Sequence, residues 1–390
     1  MRHPSLVDHL RHACLLIGLL AVGAGGQQPG LFYPAPPAGT VVVTRDVQYG
    51  SADTTKLRMD VYRAASARGT APVLILFNHA LGSEQRNNGF YTSWANIAAS
   101  KGLVAIVPDL RYGSGPQDFQ RLIAHITERA ASYGIDREAI AVYAGSGNVY
   151  TALPIVEDPK QTAVKAAIMF YGTAEVTEFR RDLPLLYVRA GLDRPPVNGD
   201  QRSGITALVA LATAQNAPLT LINHPFGHHA FEMVDDDAGT RDVMDQTIDF
   251  VKRATASAYL AALRRGLPEA TAAGQVVAGD YHAAVVSYAQ VLAARPDDPR
   301  LRLSYGEALI GDKQFAVACA EFEKLKGKGL GYRDLGVPAA RACAQKGDLD
   351  TAVAWLKSIP KRFLPPNVQS DPAFAALQNR DDFRALFQTP

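Results

Sequence analysis

This sequence offers little for metal, redox or nucleotide chemistry. Its 390 residues hold three cysteines, Cys14, Cys319 and Cys343. They contain no zinc-ligand spacing, no phosphate-binding loop and no dinucleotide fingerprint, so neither a metal nor a cofactor is expected. Neither sign of charge dominates: 40 Lys and Arg face 38 Asp and Glu, for a net charge of +2. A balance so near zero gives no electrostatic footprint for nucleic acid or for an anionic membrane. Beyond the first 24 residues, no apolar stretch approaches membrane-spanning length. What remains is ordinary globular composition, 47% hydrophobic and 20% charged. The chain is longer than one core usually supports, so two domains are expected.

The N-terminal segment reads as a secretory leader. Arg2 and Arg11 flank the apolar core Ala13–Val22, and the small residues Gly23, Ala24, Gly25 and Gly26 follow. This pattern predicts a signal peptide over residues 1–24, cleaved after Ala24, and an exported protein, periplasmic or secreted. A retained anchor is the alternative, but the apolar run is too short to span comfortably. Cys14 lies at the start of the apolar core, which is not where a lipoprotein cleavage site places it. Residues 25–40 form a Pro- and Gly-rich linker.

From residue 41 to about 257 the chain alternates short apolar runs with helical spacing. Expected strands include Val41–Thr44, Leu57–Tyr62, Val73–Phe77, Leu103–Val107, Ala139–Val142, Ala166–Phe170, Pro184–Val188 and Leu219–Ile222. A turn is expected at Gly50–Asp53, and helices at Thr92–Lys101, Phe119–Tyr133 and Asp242–Ala254. Continuous apolar strands between helices predict a mostly parallel sheet covered on both faces, hence an α/β fold.

Residues 258–390 have a different texture. Tyr281, Phe315 and Leu349 recur every 34 residues, as do Ala284, Ala318 and Ala352, and Tyr288, Phe322 and Leu356. A small residue lets two helices approach, and the bulky residue fills the groove between them. Three columns in register resemble tetratricopeptide repeats, which implies an all-α array able to dock a protein partner. A capping helix is expected between Leu364 and Phe387. Cys319 and Cys343 fall on consecutive helices of this array, where they either bond or pack as two free thiols.

The chemistry centres on Ser146. It lies in Tyr143-Ala144-Gly145-Ser146-Gly147-Asn148, between an apolar strand and an expected helix. A serine there is held on a sharp corner, its hydroxyl exposed above a sheet and the next backbone N–H free to receive an oxyanion. Asp193 follows in Ala190-Gly191-Leu192-Asp193, and His229 in Gly227-His228-His229-Ala230-Phe231. A serine hydroxyl is a poor nucleophile at neutral pH, so a histidine must take its proton and an acid must orient that histidine.

These three places, in the order Ser, Asp, His, resemble the α/β-hydrolase superfamily, closest to its dienelactone-hydrolase-like and carboxylesterase branches. The resemblance implies Ser146, Asp193 and His229 as a triad. It also implies an oxyanion hole from Gly147 N–H and a second donor in Asn78-His79-Ala80-Leu81-Gly82, with Leu81 preferred and Ala80 the alternative. One position departs from the pattern. The second residue after the serine is normally small, but here it is Asn148, so either the turn is wider or Asn148 points into the site as a polar contact. Asp200 is the fallback acid, and His228 and His224 compete with His229. The run Asp235–Asp237 reads as a metal loop or, preferably, as a solvated acidic turn.

The expected activity is hydrolysis of a small carboxylic ester through an acyl-enzyme. Two other readings share the residues: a peptidase of the prolyl-oligopeptidase kind, and a catalytically degenerate scaffold that binds partners.

Overall fold

The structure is a computed structural model and describes residues 30–78, 85–193 and 201–388. The expected leader at residues 1–24 therefore lies outside the described residues. No helix among them is long and apolar enough to cross a membrane. The chain divides into two compact units. The first runs to Arg264 without Ala214–Asn216; the second comprises those three residues and Arg265 onward. That division falls inside the helix Ser257–Val277.

The first unit is built on one eight-stranded sheet: β1 (Val41–Ala52), β2 (Thr55–Ala64), β3 (Ala71–Leu76), β4 (Val104–Pro108), β5 (Ile135–Gly145), β6 (Val164–Phe170), β7 (Leu185–Ala190) and β8 (Leu219–His224). Their order is β1-β2-β4-β3-β5-β6-β7-β8. β2 runs antiparallel to β1 and β4, and every pairing from β4 through β8 is parallel. This is a mostly parallel sheet with an antiparallel hairpin at one edge, and helices cover both faces.

Side chains alternate between two cores. In β5, Ile140, Val142 and Ala144 join one apolar cluster, while Ala141 and Tyr143 join the other. In β3, Val73 and Ile75 face the first cluster, and Leu74 and Leu76 the second. A strand buried on both faces needs apolar residues at both parities, which explains the unbroken hydrophobic runs. α1 (Gly89–Ser100) covers one face with Trp94, Ala95 and Ala98, and α7 (Ala238–Ala254) with Met244, Ile248 and Val251. On the other face lie α2 (Gly115–Glu128) with Phe119 and Leu122, α4 (Gly147–Glu157) with Val149 and Leu153, and α5 (Gln201–Ala214) with Ile205 and Leu208.

Two local expectations change. The strand from Val41 does not stop at a turn over Gly50–Asp53. β1 runs on to Ala52, which pairs directly with Thr55, leaving Asp53 and Thr54 as a two-residue turn. Asp53 has φ 54, a left-handed value suited to such a hairpin, and Asp tolerates it better than most residues. The helix expected over Phe119–Tyr133 breaks at Arg129, and a short α3 (Ala130–Tyr133) follows, ended by Gly134 at φ 65.

After β8 come α6 (Phe231–Val234), α7 and the long α8 (Ser257–Val277), within which the first unit gives way to the second. The second unit continues with α9 (Tyr281–Ala294), α10 (Pro299–Gly311), α11 (Phe315–Glu323), α12 (Tyr332–Lys346), α13 (Leu349–Lys357) and α14 (Asp381–Arg384). The 34-residue recurrence has a direct structural meaning: Tyr281, Phe315 and Leu349 are each the first residue of a helix. Ala284, Ala318, Ala352, Tyr288, Phe322 and Leu356 are all buried. Gly306 of α10 lies against the ring of Phe322, where an added Cβ would come within 2.6 Å. Cys319 and Cys343 form a disulfide joining α11 and α12. The expected single cap helix is instead a string of short turns ending in α14. Pro360, Pro365, Pro366 and Pro372 interrupt it, while Val368, Phe374, Leu377 and Phe383 remain buried.

Candidate active site

The parallel strands β5, β6, β7 and β8 lie side by side, so their C-terminal ends share one edge of the sheet. Ser146 follows β5 immediately, Asp193 follows β7 by three residues and His229 follows β8 by five. Open parallel sheets carry their sites at this edge, because there the strand ends and helix N-termini converge.

Ser146 occupies φ 55 and ψ −132, a backbone region that costs a non-glycine residue of order 1–3 kcal/mol. Its N–H donates to Phe170 O at 2.9 Å, and its own carbonyl accepts from Val149 N at 3.0 Å, the first turn of α4. Ser146 is half-buried at this strained corner. Ser146 Oγ lies 2.7 Å from His229 Nε2, and His229 Nδ1 lies 3.0 Å from Asp193 Oδ2. Asp193 is buried, whereas His229 keeps about a third of its side chain exposed. A hydrogen-bonded line thus runs from the buried Asp193 carboxylate through His229 to the Ser146 hydroxyl.

The two loops that bring acid and base together are laced to each other. Gly191 N–H donates to His224 O at 2.7 Å, and Leu192 N–H to Gly227 O at 2.9 Å. Gly191 must be glycine, since a Cβ there would fall 2.4 Å from Pro225 O. Ala230 takes the left-handed conformation at φ 59 and starts α6. The ring of Phe231 then packs beneath, 4.9 Å from that of His224.

The competing residues are placed elsewhere. His228 turns outward and is held by Asp235 through its Nδ1, at 2.8 Å, and its backbone N–H, at 2.7 Å. His224 is buried, with Nε2 at 3.2 Å from Thr240 Oγ1. Asp236 pairs with Arg241, and Asp237 caps α7 by accepting from Thr240 N, so each member of the acidic run has a structural task. No cluster of three His, Cys, Asp or Glu side chains suited to a metal occurs among the described residues.

Asn148, the residue that departs from the pattern, has a partner across the sheet edge. It is buried, and its Nδ2 donates to Tyr91 Oη at 3.1 Å, tying α4 to α1. Gly147 is the first residue of α4, where a backbone N–H has no partner within its own helix. Ala80, Leu81 and the fallback Asp200 lie outside the described residues. The start of the Ala80 loop is anchored by buried Asn78, whose Nδ2 donates to Pro108 O at 2.8 Å.

Residues that sequence reasoning missed form the floor of this edge. The ring of Tyr171, directly after β6, lies 4.8 Å from that of His229. Gly172 lies against the Ser146 carbonyl. Glu232 is completely buried and accepts a hydrogen bond from Tyr143 Oη at 2.9 Å. Its only sequence signal was an acidic residue beside an apolar one, Phe231-Glu232, just after the histidine.

No family model matches this chain, and no curated protein matches it. Solved structures similar to it include a bacterial heroin esterase, at 14% identity and TM-score 0.45, covering 56% of this chain and 86% of that one. The α/β hydrolase MGS-M1 from a Medee basin deep-sea metagenome library has 11% identity and TM-score 0.46, covering 56% and 99%. Brefeldin A esterase, described as a bacterial homologue of human hormone sensitive lipase, has 13% identity and TM-score 0.46, covering 64% and 86%.

Proposed function

We propose that this chain is an exported serine hydrolase that cleaves carboxylic esters through an acyl-enzyme. The observation that carries the reading is the line Ser146–His229–Asp193, with hydrogen bonds of 2.7 Å and 3.0 Å ending on a buried carboxylate. His229 takes the Ser146 proton as Oγ attacks the ester carbonyl, and Asp193 stabilises the imidazolium that forms. The tetrahedral oxyanion is received by Gly147 N–H and by a second N–H from Leu81 or Ala80. His229 then protonates the departing alcohol, and a water deprotonated by the same imidazole releases the acid. No step calls for a metal or a cofactor.

The C-terminal helices are read as tetratricopeptide-like repeats that dock a protein partner or shape substrate access, on the strength of the recurring helix starts and the buried alanine column. Export is supported by the N-terminal charge and apolar pattern and by the Cys319–Cys343 disulfide, which suits an oxidising compartment. A fluorophosphonate probe should label the wild-type protein and not Ser146→Ala, and p-nitrophenyl esters should be turned over with aminoacyl amides inert. Turnover of the amides instead would favour a peptidase. A wild-type protein that neither labels nor turns over ester would be a scaffold. Ser146→Ala should lose at least about 10³-fold in kcat with Tm nearly unchanged, and retention within about tenfold would sink the assignment.

A further inference from the structure

The buried carboxyl of Glu232 has no part in the triad, yet it lies beneath it. Glu232 sits in the first turn of α6, three residues after His229, with no exposed surface. Its Oε1 accepts from Tyr143 Oη at 2.9 Å. The phenols of Tyr143 and Tyr171 meet just under Gly145, the residue before the nucleophile: a Cβ added there would lie 3.1 Å from Tyr143 Oη and 3.4 Å from Tyr171 Oη. Tyr171 Oη and the indole of Trp94 also stand close enough to the carboxyl to favour its ionised form. Trp94 Nε1 and Glu232 Oε2 themselves complete no hydrogen bond of normal geometry. Tyr171 adopts φ 34, a conformation an aromatic residue holds only when its surroundings impose it. Its ring lies 4.8 Å from the His229 ring and 5.6 Å from that of Phe231.

We propose that Glu232 is a positioning residue for the base: its carboxyl gathers the hydroxyls of Tyr143 and Tyr171, and the Tyr171 ring so fixed holds the His229 imidazole in line with Ser146 Oγ. The cost of keeping an acidic group in this apolar floor needs such a return, because a buried carboxyl without a task is expensive. A carboxylate keeps two acceptor oxygens toward the surrounding phenol and indole donors, whereas a glutamine amide keeps one and places an N–H at the other position. Burial raises the Glu232 carboxyl to about 7, so both of its protonation states are accessible near neutrality. In either state at least one oxygen remains an acceptor for the phenols.

This inference rests on the serine-hydrolase reading, and the two fail differently. The experiment compares wild type, Glu232→Gln, Tyr171→Phe and the double variant on a p-nitrophenyl ester. Active sites are titrated with fluorophosphonate, so that any loss of folded protein is removed from kcat. If Glu232 acts through Tyr171, each single variant should lose about tenfold in kcat with KM within twofold. The double variant should be no worse than the poorer single one, because both remove the same link. Unchanged kcat per titrated site in Glu232→Gln, even with a lowered Tm, would overturn the positioning role and leave the triad intact. Full additivity would overturn the route through Tyr171. A wild-type protein that neither labels nor turns over ester would overturn the parent reading, and this inference with it.

Discussion

Gly172 lies so close to Ser146 that a Cβ on it would stand 2.3 Å from the Ser146 carbonyl oxygen and 2.6 Å from a methyl of Val149. The strand end after β6 therefore wedges against the backbone of the corner after β5, and the strained Ser146 conformation is held from the neighbouring strand as well as from its own. Gly172→Ala should push the elbow outward. We expect kcat to fall about 10²-fold, since small misplacements of a nucleophile carry large losses, and stability to fall by about 1–3 kcal/mol. Steady-state kinetics and urea denaturation of the variant check both; wild-type kcat would show that the corner is set by β5 and α4 alone.

The two adjacent histidines should separate cleanly. His229 bridges Ser146 and Asp193, while His228 is held by Asp235 on the outside. His229→Gln should cost at least about 10³-fold in kcat, and His228→Gln should leave it within about twofold. The reverse result, measured on the same ester, would transfer the base to His228.

The disulfide closes a loop between residues 24 apart in sequence. By chain entropy such a closure contributes about 3 kcal/mol to the second unit. Thiol counting on denatured, unreduced protein lacking residues 1–24, and with them Cys14, should find no free thiol. Cys319→Ala with Cys343→Ala should lower the stability of the helical unit by about that amount, while ester turnover in the first unit is retained. Two free thiols per chain would rule the bond out.

Glu157 supplies a pH signature. It is buried at the end of α4, and its Oε2 accepts from Arg180 N–H at 2.7 Å. Burial outweighs that bond and raises the carboxyl to about 7. A group whose folded pKa is raised favours folding below its unfolded pKa near 4.5, and that contribution is lost as pH rises through about 7. Wild type should therefore lose stability relative to Glu157→Gln between about pH 4.5 and pH 7, by about 3 kcal/mol at most. Parallel stability curves for the two proteins, from urea titrations across that range, would show that Glu157 does not titrate in the fold.

The elements of the site were legible because each depends on its own few residues. Ser146 between an apolar run and a helix, acid and base each just after a strand, and helix starts every 34 residues are local patterns of burial and turn. So is the double parity of apolar residues that announces a sheet covered on both faces. The expected leader over residues 1–24 and the expected second oxyanion donor at Leu81 or Ala80 lie outside the described residues and rest on local pattern alone.

Other features depended on where strands 20 to 80 residues apart come to lie. Asn148 stands in the place of a small residue, yet its side chain donates to Tyr91 on α1, a helix of the opposite face that comes within reach only once the sheet is assembled. Which of two neighbouring histidines meets Ser146 depends on Ala230 taking a left-handed turn and on Asp235 drawing His228 away. The need for glycine at 172 and 191 appears only when β5 sits beside β6 and β7 beside β8. The sequence by itself determined which residues could do chemistry, because residue type and local pattern are properties of a short stretch of chain. The tertiary structure decided which of them meet, because contact across parallel strands is set by sheet order and register, to which no single stretch of chain has access.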